Sequence, residues 1–256
     1  MNKYERFLAF ANFQPVDRIP RRASYVPSLE QGLREYLKAD PYAHFDFDGG
    51  GGEPLTPPDG FQAPDYSVYH PGRKHGDNGF TIDGNGCGHL NHGFYHFTEY
   101  ISPLRDAQDI RAIEEYPIAC NAGWHDRAMR KAATDAHAAG NYAWLFVGHM
   151  YENAWQVRGY EPFLIDLMTR REWAELLLDR FCDNNLRSAV AAARAGYDCI
   201  MTGDDVANQT ALMFQPELWR AVMKPRWAKV IAAARAIRPR IHVWYHSDGN
   251  IGEILD

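Results

Sequence analysis

The chain has 256 residues, of which 46% are hydrophobic and 23% charged, which is the composition of a globular protein with ample core material. Its formal net charge is −6 and it has no long basic run, so nucleic acid is not an expected partner. No segment approaches the ~18 consecutive apolar residues of a membrane span, and the N-terminus lacks the apolar region of a secretory signal. The four cysteines form no C-x-x-C pair, so we expect a cytoplasmic protein without membrane partners.

The first hundred residues predict a helix, a long irregular segment and a β-ribbon. Residues 1–13 have apolar side chains at helical spacing, and an extended segment follows at 21–26. Residues 40–79 are rich in Gly, Pro and Asp, which is typical of a loop or insertion, and the glycines at 49–52 predict a flexible lid or linker. Residues 80–100 alternate and contain several glycines, which indicates a hairpin or ribbon.

Strands and helices alternate from about residue 122 onward. The predicted strands are 142–148, 197–202 and 241–246, and the predicted helices are 123–139, 171–195 and one that begins at 216 and is interrupted at Pro225. Near-continuous apolar strands between helices predict a parallel sheet covered on both faces. The lack of a G-x-G-x-x-G turn and the polar residues at several strand ends favour a TIM-type (β/α)8 barrel over an open sheet.

About five strand candidates are found where a closed barrel has eight. We therefore expect a single α/β barrel domain over 1–256 that lacks its last strand–helix units, with 40–100 as an insertion and ribbon. A second copy of the chain in a homodimer is one way to cover the open edges.

Polar side chains follow three predicted strands at their carboxyl ends. In a parallel barrel these ends meet at one rim, where they would place two imidazoles and three carboxylates around one cleft. That combination suits general acid–base catalysis, metal ligation or hydrogen bonding of a polar ligand. The candidates are His149, Tyr151, Asp204, Asp205, Gln209, His246, Asp248 and Asn250.

Each of these residues also has a structural interpretation. Asp204 is a suitable N-cap for a helix that begins near Asp205, and Ser247 or Asp248 is a suitable cap for the turn that follows. For one residue alone the two interpretations have equal weight. The same polar enrichment at three independent strand ends favours a functional site.

The glycine-rich ribbon contains a separate group of histidines, His89, His92 and His96. Their spacing resembles that of metal ligands, but strand alternation would divide them between two faces, so we do not expect a metal there. The glycines at 49–52 lack the G-K-[ST] ending of a phosphate-binding loop.

Several segments, taken in order, resemble members of the uroporphyrinogen decarboxylase superfamily. They are residues 3–10, Asp17-Arg18-Ile19-Pro20, Ile82-Asp83-Gly84, residues 152–164, residues 203–218 and His246-Ser247-Asp248-Gly249-Asn250. The resemblance implies a (β/α)8 barrel with its cleft at the carboxyl ends of the strands. It also implies one of two activities: decarboxylation of uroporphyrinogen in haem and porphyrin metabolism, or methyl transfer to or from corrinoid proteins.

The sequence departs from both branches of this family. The decarboxylases carry an Arg-Gln-Ala-Gly-Arg-Tyr motif, whereas this chain has Arg21-Arg22-Ala23-Ser24-Tyr25, which leaves Arg21 and Arg22 as candidates for binding the substrate. The thiol methyltransferases carry a zinc-binding His-x-Cys, whereas this chain has His246 and Asp248. A carboxylate in place of a thiolate still permits zinc and gives a harder, more oxygen-preferring metal site.

The resemblance therefore favours corrinoid-linked methyl transfer on a small-molecule substrate, as a methylcobamide-dependent methyltransferase or an O-demethylase component. Asp204, Asp205, His246 and Asp248 are the expected catalytic residues, with zinc on His246 and Asp248 and a cobalamin carried by a partner protein. One alternative is a uroporphyrinogen decarboxylase, which needs no cofactor. Another is a catalytically silent barrel fragment that acts as a binding module.

Overall fold

The computed structural model describes residues 1–92 and 98–255. The strands in this part are β1 (Gly50–Gly51), β2 (Phe80–Ile82), β3 (Gly88–Asn91), β4 (Thr98–Ile101), β5 (Ala143–Phe146), β6 (Cys199–Gly203) and β7 (His242–His246). The α-helices are α1 (Lys3–Ala11), α2 (Pro27–Leu37), α3 (Pro41–His44), α4 (Arg111–Glu114), α5 (Arg127–Ala138), α6 (Tyr151–Arg158), α7 (Tyr160–Thr169), α8 (Arg171–Ala195) and α9 (Pro216–Ile237).

Strands β1, β5, β6 and β7 form one parallel sheet in that order. Trp144 of β5 is the register partner of Cys199 in β6, and Gly203 of β6 is the partner of His246 in β7. The predicted α/β class with a parallel sheet is therefore confirmed. Within the described part of the chain the sheet is open, with β1 and β7 at its edges, and it does not close into a barrel there.

The main core lies between one face of this sheet and the helices that follow its strands. Leu145 of β5, Ile200 of β6, Leu178 of α8 and Val230 of α9 belong to one buried cluster. Helix α8 ends where predicted, because Gly196 adopts a left-handed φ of 93° that favours glycine after a helix. These helices fix the positions of the strand ends that carry the polar residues.

Helix α9 does not break at Pro225, so the predicted interruption is wrong. Proline lacks the N–H of a helical hydrogen bond and costs about 3 kcal/mol inside a helix. Val222 and Trp227, on either side of it, are both buried against the core, and this packing outweighs the local cost. The side chain of Arg226 also donates to the carbonyl oxygen of Val222 at 2.7 Å.

Two of the four glycines at 49–52 belong to the sheet, so the predicted lid or linker is wrong. Gly50 and Gly51 form β1, which pairs with the start of β5. A Cβ added at Gly52 would lie 2.0 Å from a ring carbon of Tyr197 and 2.6 Å from the carbonyl oxygen of Trp144. The absence of side chains lets the backbone lie directly against its neighbours.

The predicted ribbon is confirmed in its described residues, where β2, β3 and β4 pair antiparallel, and residues 93–97 of the predicted range lie outside the described part. The segment 21–26 is not a strand of the sheet, although the carbonyl oxygen of Arg21 accepts from the backbone N–H of Asp48 at 2.7 Å. Helices α2, α6 and α7 were not predicted from the sequence.

An ionic network attaches the N-terminal helix to the segment that follows it. Arg6 donates to Asp17 through Nε at 2.7 Å and to Asp48 through Nη1 at 2.5 Å, and Arg18 also donates to Asp48. Burial opposes the charge on Asp48, but the N–H of Arg21 and the guanidinium groups of Arg18 and Arg6 hold its pKa below the usual range. Asp17 and Arg18 therefore have a structural role.

Among the described residues, none of the helices is both long and apolar enough to cross a bilayer.

Candidate active site

The carboxyl ends of β5, β6 and β7 meet at one edge of the sheet, which we call the rim. It carries two groups of acidic and imidazole side chains, each with its ligand atoms within 4.8 Å of one another. The buried group consists of His149, Glu152 and Asp204. The open group consists of Asp205, His246 and Asp248.

Asp204 is the most enclosed member, with only 1% of its surface exposed. Its Oδ1 accepts from the backbone N–H groups of Met150 and Glu152 at 2.9 and 3.1 Å, at the start of α6. Its Oδ2 accepts from the indole N–H of Trp227 in α9 at 3.2 Å. Asp204 thus caps a helix, as one interpretation of the sequence proposed, but the helix is α6 beside it and not one that follows it in the chain.

Burial of two neighbouring carboxyl groups favours their protonated forms. Burial raises the pKa of Asp204 to about 7, although the N–H groups of Glu152 and Met150 oppose the shift. Burial likewise raises the pKa of Glu152, and the nearby imidazole of His149 opposes the change. Asp204 therefore remains partly protonated near neutral pH, and the pKa of the neighbouring Glu152 is shifted in the same direction.

The contacts of His149 define which of its ring nitrogens carries the hydrogen. Its Nδ1 lies against the carbonyl oxygen of Gly203 and 3.1 Å from Oε1 of Glu152. A carbonyl oxygen only accepts, so Nδ1 carries the hydrogen. In the neutral imidazole this leaves Nε2 as the acceptor.

The open group is accessible to solvent. Asp205 is partly buried, and its Oδ1 accepts from the backbone N–H of Asp248 at 2.9 Å, which fixes the turn after β7. Nε2 of His246 lies 3.2 Å from Oδ1 of Asp248, and these two side chains are 46% and 77% exposed. One imidazole and two carboxylates are ligands that zinc and harder divalent metals accept.

Two backbone hydrogen bonds join the residues of the two groups. The backbone N–H of Asp205 donates to Oε1 of Glu152 at 3.1 Å, and that of Asp204 donates to the carbonyl oxygen of His246 at 3.2 Å. At the rim, an exposed set of possible metal ligands therefore lies directly beside two buried carboxyl groups with raised pKa values.

Tyr151, Gln209 and Asn250, which the sequence offered as candidates for the cleft, are not members of either rim group. Tyr151 is buried, with its ring packed against Phe163 and Phe214. Gln209 is exposed on the loop after β6. Asn250 joins two loops, since its Nδ2 donates to the carbonyl oxygen of Thr210 at 3.3 Å.

The two candidate arginines differ in position. The guanidinium of Arg22 lies 3.8 Å from the ring centroid of Trp144 and 5.9 Å from that of Trp244, on the sheet face away from the main core. Arg21 is exposed, and its Nη2 lies 3.4 Å from the carbonyl oxygen of Phe45.

The site contains two residues that the sequence did not single out. Glu152 lies three positions after His149, and this spacing brings the two side chains together at a helix start. Trp227 carries no comparable sign in the sequence, because its contact with Asp204 depends on the packing of α9 behind β6.

The fold and the rim define an α/β protein with an acid–imidazole site at the ends of parallel strands. A family model described as uroporphyrinogen decarboxylase (URO-D) matches residues 102–256. This match covers more than half of the chain, which therefore belongs to the URO-D superfamily, a group that includes methyltransferase-like members.

One solved structure, a methyltransferase from Methanosarcina mazei, is similar with a TM-score of 0.59 and 16% identity, over 100% of this chain and 72% of that chain. A likeness at this identity supports the fold alone. A comparison with curated proteins found no match.

Proposed function

We propose that this chain is a methyltransferase of the URO-D superfamily that moves a methyl group between a small molecule and a corrinoid carried by a partner protein. The observation that carries the proposal is the hydrogen bond between Asp205 and Glu152, which joins the open group of possible metal ligands to the buried group of acids. The parallel sheet would then be part of a (β/α)8 barrel within a single domain, with the rim as its catalytic face.

The open group fits a divalent metal. Asp205, His246 and Asp248 offer two oxygens and one nitrogen within 4.8 Å, and a catalytic metal is commonly held by three protein ligands with one position left for substrate. A metal bound there would polarise the oxygen, nitrogen or sulfur atom that carries the methyl group. The donor set contains no thiolate, which favours zinc or a harder metal.

The buried group would handle the proton that methyl transfer requires. When a methyl group leaves an oxygen or sulfur atom, that atom gains an electron pair and needs a proton for neutrality. His149 contacts Glu152 through Nδ1, and burial raises the pKa of both Glu152 and Asp204, which favours their protonated forms. In the opposite direction the same groups would accept the proton of an incoming thiol or alcohol.

The charge of the rim argues against uroporphyrinogen as the substrate. That molecule carries many carboxylates and would need several cationic side chains around it. In the described residues, the two rim groups contribute four carboxyl groups and two imidazoles. Arg22 stacks on tryptophan rings of the sheet face and is not a member of either group.

The experiment that tests the metal site is elemental mass spectrometry on the purified chain. Wild type should carry a metal that the His246→Ala variant loses, at a difference of about one ion per chain. His92→Ala is the matched control, because this exposed histidine contacts only Glu99 in the ribbon, at 3.1 Å, among the contacts described. Equal metal content in wild type and His246→Ala would contradict a metal role for the open group.

A further inference from the structure

The hairpin between β2 and β3 gathers three metal-ligating side chains at a place separate from the rim. A carboxylate oxygen of Asp83, Sγ of Cys87 and a ring nitrogen of His89 all lie within 4.8 Å of one another. The strand register explains this arrangement. Ile82 pairs with Gly88, so Asp83 and Cys87 face each other across the next step of the hairpin. Cys87 and His89 are two positions apart and share a face.

The turn fixes the carboxylate in advance. Oδ1 of Asp83 accepts from the backbone N–H groups of Asn85 and Cys87 at 2.8 and 3.0 Å, which leaves Oδ2 to face Nε2 of His89 at 2.9 Å. Little conformational freedom remains to be lost when a cation replaces the hydrogen between these two side chains.

We infer that Asp83, Cys87 and His89 form a second metal site, suited to zinc, in the ribbon where it contacts helix α6. A nitrogen, a sulfur and an oxygen ligand match the borderline-soft character of zinc, and three protein ligands leave one position for solvent. In a tetrahedral zinc site the ligand atoms are roughly 3.3–3.6 Å apart. Asp83 and His89, 2.9 Å apart, would therefore separate by about 0.5 Å, and Sγ of Cys87, within 4.8 Å of both, would move closer by about 1 Å at most.

The site is open on one side only. The side chains of Asp83 and His89 are about one quarter to one third exposed, whereas Cys87 is fully buried. Burial raises the pKa of the Cys87 thiol to about 12, so the metal-free thiol is neutral, and its Sγ lies 3.3 Å from the carbonyl oxygen of Gln156 in α6. Metal binding would displace the thiol proton into solvent, which makes uptake dependent on pH.

The position of the hairpin gives this metal a structural role. The ring centroid of His89 lies 5.1 Å from that of Tyr100 in β4. The ring centroid of Tyr100 lies 5.1 Å from that of Trp155 in α6. Helix α6 carries Glu152 in its first turn. A metal at the hairpin would therefore stiffen the ribbon against the helix that presents the buried rim group.

The set differs from the three histidines considered in the sequence. His92 pairs with Glu99 and is not part of the cluster, and His96 lies outside the described residues. His89 is thus shared between the rejected histidine set and the new one, in which Asp83 and Cys87 supply the other ligands.

Cobalt(II) substitution tests this site without reference to the proposed activity. The full chain is stripped with a chelator and titrated with Co²⁺ while the near-ultraviolet thiolate-to-cobalt charge-transfer band is followed. Neither rim group contains a cysteine, so the band reports on the hairpin alone. Cys120→Ala is the control, because Cys120 is the exposed cysteine of the chain.

We expect wild type, Cys120→Ala and His246→Ala to develop the band with the same amplitude, that of one thiolate-bound cobalt per chain, whether or not the rim also binds cobalt. Cys87→Ala should show no band, and His89→Ala should weaken cobalt binding at least tenfold while its circular dichroism stays native. His89 is partly exposed, so this variant decides the question if Cys87→Ala does not fold. A missing band in wild type, or unchanged cobalt binding in His89→Ala, overturns the site.

Discussion

The indole N–H of Trp227 donates to Oδ2 of Asp204 over 3.2 Å, from helix α9 behind the sheet to a carboxylate at the rim. Both residues are buried, and the same carboxylate holds the first turn of α6 through its other oxygen. The ionisation of Asp204 is therefore coupled to the packing of two helices. A hydrogen bond to a charged buried group contributes about 1.5–3 kcal/mol.

Stability should fall as pH rises through the titration of Asp204. Folding raises the pKa of Asp204 to about 7, from an ordinary value near 3.9. Between these values the folded state holds a proton that the unfolded state has released, so stability declines by up to about 1.4 kcal/mol per pH unit. Asp204→Asn lacks this titration and should gain stability relative to wild type from about pH 4 to pH 7. Urea unfolding of chelator-treated protein measures the difference.

The Asn side chain also places an amide N–H opposite the indole N–H of Trp227, and two donors cannot bond to each other. This lowers the free energy of unfolding by an amount that does not depend on pH. The prediction therefore concerns the slope of the stability difference and not its value at one pH. A difference that stays constant between pH 4 and pH 7 would show that Asp204 ionises as an ordinary carboxyl group.

Trp227→Phe should move the same titration to higher pH. The mutation removes a donor that favours the charged form of Asp204, so the pKa rises further. We expect a loss of about 1–3 kcal/mol at pH 8, where the carboxylate is charged, and a smaller loss at pH 5. Trp219→Phe is the matched control, because Trp219 is buried in the same helix and its indole nitrogen has no hydrogen-bond partner among the described residues. Equal losses at both pH values would argue against the coupling.

Gly52→Ala should destabilise the fold while Gly51→Ala should not. The added methyl group at Gly52 would lie 2.0 Å from the ring of Tyr197, whereas nothing lies within 4 Å of the one at Gly51. Overpacking of this kind costs about 1–3 kcal/mol or more. Chemical denaturation of the two variants measures it, and similar midpoints would mean that the backbone at Gly52 does not lie against Tyr197 as described.

Arg6→Ala should cost much more than Arg34→Ala. Arg6 is buried against Asp48, and removal of one partner of a buried pair costs about 3 kcal/mol or more. Arg34 forms an exposed pair with Glu30, which contributes at most about 1 kcal/mol. Urea unfolding measures the free energy of unfolding of both variants, and equal losses would contradict a stabilising role for the buried ionic network.

The same network predicts weakness toward acid. Hydrogen bonds from Arg6 hold the pKa of Asp17 well below its usual range, and the pKa of Asp48 is lowered as well. A lowered pKa contributes stability above the unfolded value near 3.9, and this stability is lost as the pH falls through the folded value. Arg6→Ala should therefore unfold at a higher pH than wild type in an acid titration followed by circular dichroism.

Strands β5 and β6 could be predicted from the sequence because the pattern that indicates them lies within a few consecutive residues. Apolar runs that end in Gly148 and Gly203 have the length of buried strands, and parallel strands necessarily bring their carboxyl ends to one edge. That rule alone predicts a common location for five of the rim residues, and the structure brings them into the two adjacent groups. They are His149, Asp204, Asp205, His246 and Asp248.

The features that were missed depend on long-range contacts. Strand β1 has two glycines and no periodicity, so only its neighbours identify it as a strand. Tyr151 was expected in the cleft, but it begins a helix that turns its side chain into the core and turns Glu152 toward the rim. The continuity of α9 through Pro225 likewise depends on burial that no local pattern reveals.

The measurement that tests the proposed methyltransferase activity most directly is methyl transfer to and from cobalamin by the folded, metal-loaded chain. Under anaerobic conditions and in the dark, the absorption spectrum follows cob(I)alamin with methoxylated aromatic compounds and methyl thioethers, and methylcobalamin with thiols. We predict catalysed transfer with at least one class and a loss of at least about 100-fold in His246→Ala. Absence of transfer with every class, or an unchanged rate in His246→Ala, would contradict a methyltransferase that works at this rim.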